Sequence, residues 1–78
     1  MKTDEEIREG IKKALIAARE EKGLTQSELS KIINKTPTAV ASWEQGLSLP
    51  NLQTLYRLAT YYGKTLDYMF GEEGIEEQ

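Results

Sequence analysis

Apolar residues return along this chain at intervals of three and four, the spacing of one helical face, and no stretch alternates with the period of two that a strand requires. Ile7, Ile11, Ala14, Leu15 and Ala18 trace the first such face. Thr3 and Glu6 stand ahead of it in the order of a capping box, and Gly23 follows as a residue free to take the left-handed turn that ends a helix, which predicts a helix ending near Lys22. Thr25 and Glu28 repeat the capping box, with Leu29, Ile32 and Ile33 as the apolar face of a second helix of about two turns. Asn34 suits a left-handed close, Thr36 suits the next cap, and Pro37 suits a first helical position, where its missing N–H costs nothing.

The third helix turns Val40 and Trp43 toward the core and stops at Gly46, after which a loop reaches Pro50. Leu52, Leu55, Leu58, Ala59 and Tyr62 mark the buried stripe of a fourth helix, and Gly63 closes it. Thr65 caps a short fifth helix holding Leu66, Met69 and Phe70. The expected fold class is all-α, with five helices and no internal repeat or linker. An acidic start over residues 1–10 leads into a globular part over 11–70, and an acidic tail or linker occupies 71–78.

A chain of 78 residues forms one small domain, near the size at which a single core gives only a few kcal/mol of net stability. It has no cysteine and no histidine, which removes disulfides, thiolate chemistry, imidazole acid/base work and the usual zinc sites. No catalytic residue, metal ligand or cofactor is therefore expected, and the chain is not expected to be an enzyme. Its apolar runs fall far short of the roughly 20 residues that span a bilayer, and the start lacks a signal-peptide apolar region, so a soluble, cytoplasmic protein without a membrane partner is expected.

The net charge of −3 is unpromising for a nucleic-acid binder until its distribution is followed along the chain. Lys2 and Arg8 face Asp4, Glu5, Glu6 and Glu9 in the first ten residues, while Glu72, Glu73, Glu76 and Glu77 crowd the last eight. The middle, residues 11–70, has eight cations (Lys12, Lys13, Arg19, Lys22, Lys31, Lys35, Arg57 and Lys64) against five acids (Glu20, Glu21, Glu28, Glu44 and Asp67). That mild excess permits phosphate contact.

Two short helices joined by a tight turn are the defining pair of a helix-turn-helix, whose second helix enters the DNA major groove. The run Arg19-Glu-Glu-Lys-Gly-Leu-Thr-Gln-Ser-Glu-Leu29, then Trp43-Glu44-Gln45-Gly46, then Pro50 and Leu52, resembles the lambda-repressor-like Cro/CI (XRE-type) family of helix-turn-helix regulators. The resemblance runs from about Ile11 to Phe70. It implies sequence-specific binding of double-stranded DNA by a transcriptional regulator, a repressor, acting as a homodimer on a pseudo-palindromic operator.

Residue by residue, the resemblance implies that Thr25 and Gln26 meet a DNA phosphate at the start of helix two, where exposed N–H groups attract anions. The alternative for Gln26 is a solvated first-turn residue. Pro37, Thr38, Ala39 and Ser42 are implied to face the groove, with Ala41 touching the backbone or nothing. This face lacks Arg, Lys, Gln and Asn, so Thr38 and Ala39 would pack on thymine methyls, Ser42 would make one hydrogen bond, and DNA shape would supply much of the rest. Lys35 stands where the family places an apolar residue and either reaches a phosphate or is solvated; Lys64 stands at the equivalent point before helix five. Gln45, Ser48 and Asn51 are implied to touch the DNA backbone. Arg19 and Glu44 are implied to form a partly buried ion pair between helix one and the end of helix three, structural rather than catalytic.

Two rival readings stand beside this one. Gly63-Lys64-Thr65 matches the end of a phosphate-binding P-loop, but Leu58 occupies the place of its first glycine and a helix precedes it, which rejects an NTPase. A protein-interaction or antitoxin-like helical module is the alternative function, given the overall acidity and four tyrosines. Tyr62 is assigned to the core, whereas Tyr56, Tyr61 and Tyr68 flank it and offer a dimer contact, for which Tyr61 and Tyr68 near helix five are the expected pair.

Overall fold

The computed structural model describes residues 1–72, and every regular element among them is helical: α1 (Asp4–Glu21), α2 (Gln26–Ile32), α3 (Pro37–Glu44), α4 (Leu52–Tyr62) and α5 (Leu66–Met69). Each start is written in the sequence. Both capping boxes are complete: Thr3 accepts from Glu6 N at 3.1 Å and Thr25 from Glu28 N at 3.0 Å, while each glutamate accepts from its threonine's backbone N–H. Thr36 caps α3 with Pro37 at its first turn, Asn51 caps α4 and Thr65 caps α5. Gly23 and Asn34 end their helices at φ 70° and 59°, a left-handed backbone that asparagine tolerates better than most side chains.

α2 packs on α3, α1 on α3 and α5, and α4 on α5, around a core of Ile11, Leu15, Leu29, Ile33, Val40, Trp43, Leu55, Leu58, Tyr62 and Met69. The helical faces differ from the expected ones in four places. Ile32 is 47% exposed because the buried face of α2 turns toward Ser30, whose hydroxyl donates to Ser27 O at 2.7 Å and so enters the core with its hydrogen bond made. Leu52 is 71% exposed, since the buried stripe of α4 begins at Thr54. Ile7 and Leu66 are also exposed, which leaves Met69 and the half-buried Phe70 to anchor α5.

The acidic ends join the domain through a contact that spacing does not reveal. A side chain at Gly10 would bring its Cβ to 2.7 Å from Phe70 O, and one at Gly71, whose φ is 81°, to 2.8 Å from Gly10 Cα. The middle of α1 and the end of α5 therefore meet backbone to backbone, which only residues without a Cβ allow. Lys2 pairs with Glu72 at 2.8 Å beside this contact. The remaining tail acids, Glu73, Glu76 and Glu77, lie outside the described residues.

Candidate nucleic-acid interface

α3 is held at both ends. At its start the hydroxyl of Thr36 accepts from Ala39 N at 3.0 Å, and at its end Glu44, almost wholly buried, receives Arg19 of α1 in a two-pronged pair, Nε to Oε2 at 2.8 Å and Nη2 to Oε1 at 2.9 Å. The third prong, Nη1, donates to Leu24 O at 2.7 Å and ties down the turn between α1 and α2. The planar guanidinium fork matches this geometry, and its hydrogen bond to Glu44 raises the Arg19 pKa further above its ordinary value, against the opposing effect of burial.

With those ends fixed, the helical period decides what α3 presents. At about 100° per residue, Thr38, Ser42 and Gln45 fall opposite Val40, with Ala41 beside them. Thr38 and Gln45 are exposed, as is Pro37 at the helix start, while Ala41 and Ser42 are half-buried. Ala39, on the flank of the helix next to Ser42, is half-buried and also packs against the core. The Ser42 and Ser48 hydroxyls share a hydrogen bond of 2.7 Å, joining α3 to the loop that follows. Such a pair has one O–H left to donate outward.

The residues assigned to phosphate divide into tethered and open groups. Gln26 Nε2 donates to Glu44 Oε1 at 3.0 Å, so its amide is oriented by the Arg19–Glu44 pair instead of lying free in solvent; its second N–H remains to be offered. Thr25 and Glu28 satisfy each other's backbone N–H groups, leaving the amides of Gln26 and Ser27 as the open donors at the start of α2. Asn51 Oδ1 accepts from Thr54 N at 2.8 Å, which commits its oxygen to capping and frees its NH2 group to donate. Lys35 and Ser48 are exposed.

Two features of this surface escape sequence reasoning. Gln26 and Glu44 are too far apart in the chain for any local spacing to pair them, and the Ser42–Ser48 link crosses a loop whose path is not fixed by periodicity. Lys31, in the last turn of α2, is exposed, and with Lys35 it brackets the α2–α3 turn with two cations that have no ion-pair partner among the described residues. By contrast, Tyr61 and Tyr68 are engaged within the chain. The Tyr61 and Tyr62 rings meet edge to face with centroids 5.4 Å apart, Lys22 Nζ lies 5.3 Å from the Tyr61 centroid, and Tyr68 lies partly buried with Lys64 Nζ 4.7 Å from its own.

A second helix capped at its start and tied at its end, presenting a polar and small-residue face beside an open helix start and two lysines without an ion pair among the described residues, is the construction of a DNA-binding helix-turn-helix domain of the Cro/CI type. The chain belongs to that family: residues 15–69 match the helix-turn-helix family profile. It is 41% identical over 64 residues to multiprotein-bridging factor 1a of Arabidopsis thaliana, covering 82% of this chain and 45% of that protein. It is also 36% identical over 56 residues to human endothelial differentiation-related factor 1, covering 72% and 38%. The chain thus spans less than half the length of these relatives. No solved structure matches it significantly. Among the described residues no helix is long and apolar enough to cross a membrane, and no three acidic side chains gather as a metal site would require.

Proposed function

We propose that this domain binds double-stranded DNA sequence-specifically with α3 in the major groove, and that it serves transcriptional regulation. The observation that carries this reading is the outward pair Thr38 and Ser42 on a helix tied at one end by Thr36 and at the other by Arg19 and Glu44, with Gln45 just past its end for the DNA backbone. A short helix tied at both ends presents short side chains to base edges in one orientation. Gln26 and the amides beside it supply one phosphate contact, and Lys31 and Lys35 add charge at the turn. Two copies on a pseudo-palindromic site, with half-site centres about one DNA turn apart, give the contact area that one small module lacks.

The test separates positioning from reading. A bound sequence is selected from a random DNA pool, and binding to it and to scrambled DNA is measured at two salt concentrations. Gln26→Ala should weaken both DNAs alike, since phosphate carries no base identity. Thr38→Ala and Ser42→Ala should mainly compress the ratio between them, by about 1 kcal/mol each, because neither side chain makes a bidentate contact. If base preference moves with Gln26 and not with Thr38 or Ser42, this docking orientation is wrong. Absence of any salt-dependent DNA binding would leave the protein-interaction reading, which the relative's name as a bridging factor favours.

A further inference from the structure

The outer face of α4 carries large apolar side chains among its polar ones. Leu52 and Tyr56 stand one turn apart on it, 71% and 62% exposed, and Leu66 of α5 lies exposed beside them. With Gln53 and Arg57 they line an open groove of about 520 Å³. Exposed large apolar side chains are ordinary when scattered, but three converging on one groove need a reason.

The charge around the groove is distinctive. The whole chain carries −3, yet between Glu44 and Asp67 there is no acidic residue at all, only Arg57 and Lys64 as charged groups. Lys64 is spent on Glu21 at 3.2 Å, whereas Arg57 is exposed on the groove wall and has no ion-pair partner among the described residues. Asp67 follows Leu66 in the chain but does not line the groove. A floor of leucine and tyrosine with one unpaired guanidinium at its edge complements an amphipathic helix that buries apolar side chains and holds carboxylates at its rim. A second copy of this chain fits worse: paired face to face, each Arg57 would meet a groove that offers it no carboxylate. Three side chains also fall well short of the roughly 800 Å² per partner that a stable dimer buries.

We infer that the α4–α5 groove is a docking surface for an acidic, leucine-bearing amphipathic helix of another protein. It shares no residue with the DNA reading above and stands or falls apart from it. A bound helix would lay apolar side chains spaced i, i+4 across Leu52, Tyr56 and Leu66, with a carboxylate on Arg57.

The experiment uses the whole chain, isotopically labelled for amide NMR, without DNA. The probe is a synthetic helical peptide of about 15 residues with leucine at i, i+3, i+4 and i+7 and glutamate on the other face. The controls are the same peptide with lysine for glutamate and a scrambled peptide of the same composition. Saturable shifts gathered on Leu52, Tyr56, Arg57 and Leu66 with the glutamate peptide alone are expected. Arg57→Glu should weaken that peptide about tenfold and favour the lysine version, and Leu52→Ser with Tyr56→Ser should abolish binding. These side chains are exposed, so unchanged melting curves identify the losses as binding losses. No shifts, equal binding of the lysine or scrambled peptide, or shifts centred on α2 and α3 would each overturn the inference. So would groove shifts that grow with protein concentration alone while sedimentation reports a dimer, which would give the face to a second copy.

Discussion

Asn34-Lys35-Thr36 joins α2 to α3, and Gly63-Lys64-Thr65 joins α4 to α5. Each begins with a left-handed residue, at φ 59° and 71°; each lysine N–H reaches back five residues, to Ser30 O at 2.8 Å and Ala59 O at 2.9 Å; each threonine hydroxyl caps the next helix. The side chains then part company. Lys35 points into solvent beside the α3 face, while Lys64 is half-buried between Glu21 and the Tyr68 ring. The backbone of such a turn is set by local residue types, whereas the work of its lysine is set by what the neighbouring helices bring near it. One turn leaves its cation in solvent and the other uses the same cation as an internal fastener.

The sharpest way to break this comparison is to remove the tie that the α1–α2 turn has and the other two lack, the guanidinium of Arg19 on Leu24 O. Arg19→Ala or Glu44→Ala should each cost roughly 2–4 kcal/mol in denaturant unfolding, because either change strands a desolvated partner, and the double variant should cost less than the sum. Midpoints equal to wild type for both would mean the pair contributes nothing to stability.

Next in size are the left-handed residues themselves. A Cβ at Gly63 meets nothing within 4 Å, so Gly63→Ala should cost only its backbone strain, about 1–2 kcal/mol, while Asn34→Gly should fall within about 0.5 kcal/mol of wild type. A larger loss for Asn34→Gly would show that the asparagine side chain matters beyond its backbone. The lysines give a smaller effect in a different observable. Lys35→Ala should weaken DNA binding severalfold and flatten the log–log salt dependence by about 0.9, whereas Lys64→Ala should leave that slope alone and shift stability by less than about 1 kcal/mol. Equal slopes for the two variants would erase the distinction between the turns.

The smallest effect concerns the residue before each left-handed position, the apolar Ile33 in one turn and Tyr62 in the other. Tyr62 is 7% exposed and its hydroxyl finds no hydrogen-bond partner among the described residues. Burial, and then the charge of Glu44, push its pKa well above the ordinary tyrosine value. In the unfolded chain the phenol ionises near pH 10, so above that pH the unfolded state sheds a proton that the folded state keeps, and stability falls as pH rises. Tyr62→Phe should change stability by less than about 1 kcal/mol at pH 7, in the stabilising direction, and should flatten the alkaline decline. An unfolding series from pH 7 to 11 checks both; a destabilised phenylalanine variant would reveal a bond the hydroxyl makes.

These turns also mark where sequence reasoning succeeds. Thr3, Thr25, Thr36 and Thr65 act on backbone three residues away, and Gly23, Asn34 and Gly63 act on their own φ, so their roles are visible in a few letters. Helix faces are less secure, because a buried serine or threonine can take the place expected of a leucine or isoleucine; Ser30 and Thr54 do so at the expense of Ile32 and Leu52. The candidate interface is legible as a stretch of chain and not as a set of side chains. Ala39 is half-buried against the core, Gln26 is tied to Glu44 and Ser42 to Ser48, all settled by contacts between elements whose relative placement no spacing encodes.

The glycine-to-glycine contact of Gly10 and Gly71, with Lys2 reaching Glu72, brings residues 2 and 72 side by side at one edge of the domain. A unit whose strand of entry and strand of exit share a doorway behaves as a cassette. Set into a surface loop of a host protein, it would enter and leave that loop at one edge and add little ordering entropy to the host's folding. The same proximity lets residues 2 and 72 be bridged by a short peptide and the chain reopened elsewhere, at the exposed stretch from Leu47 to Leu49, which would permute the order of the helices without changing which of them touch.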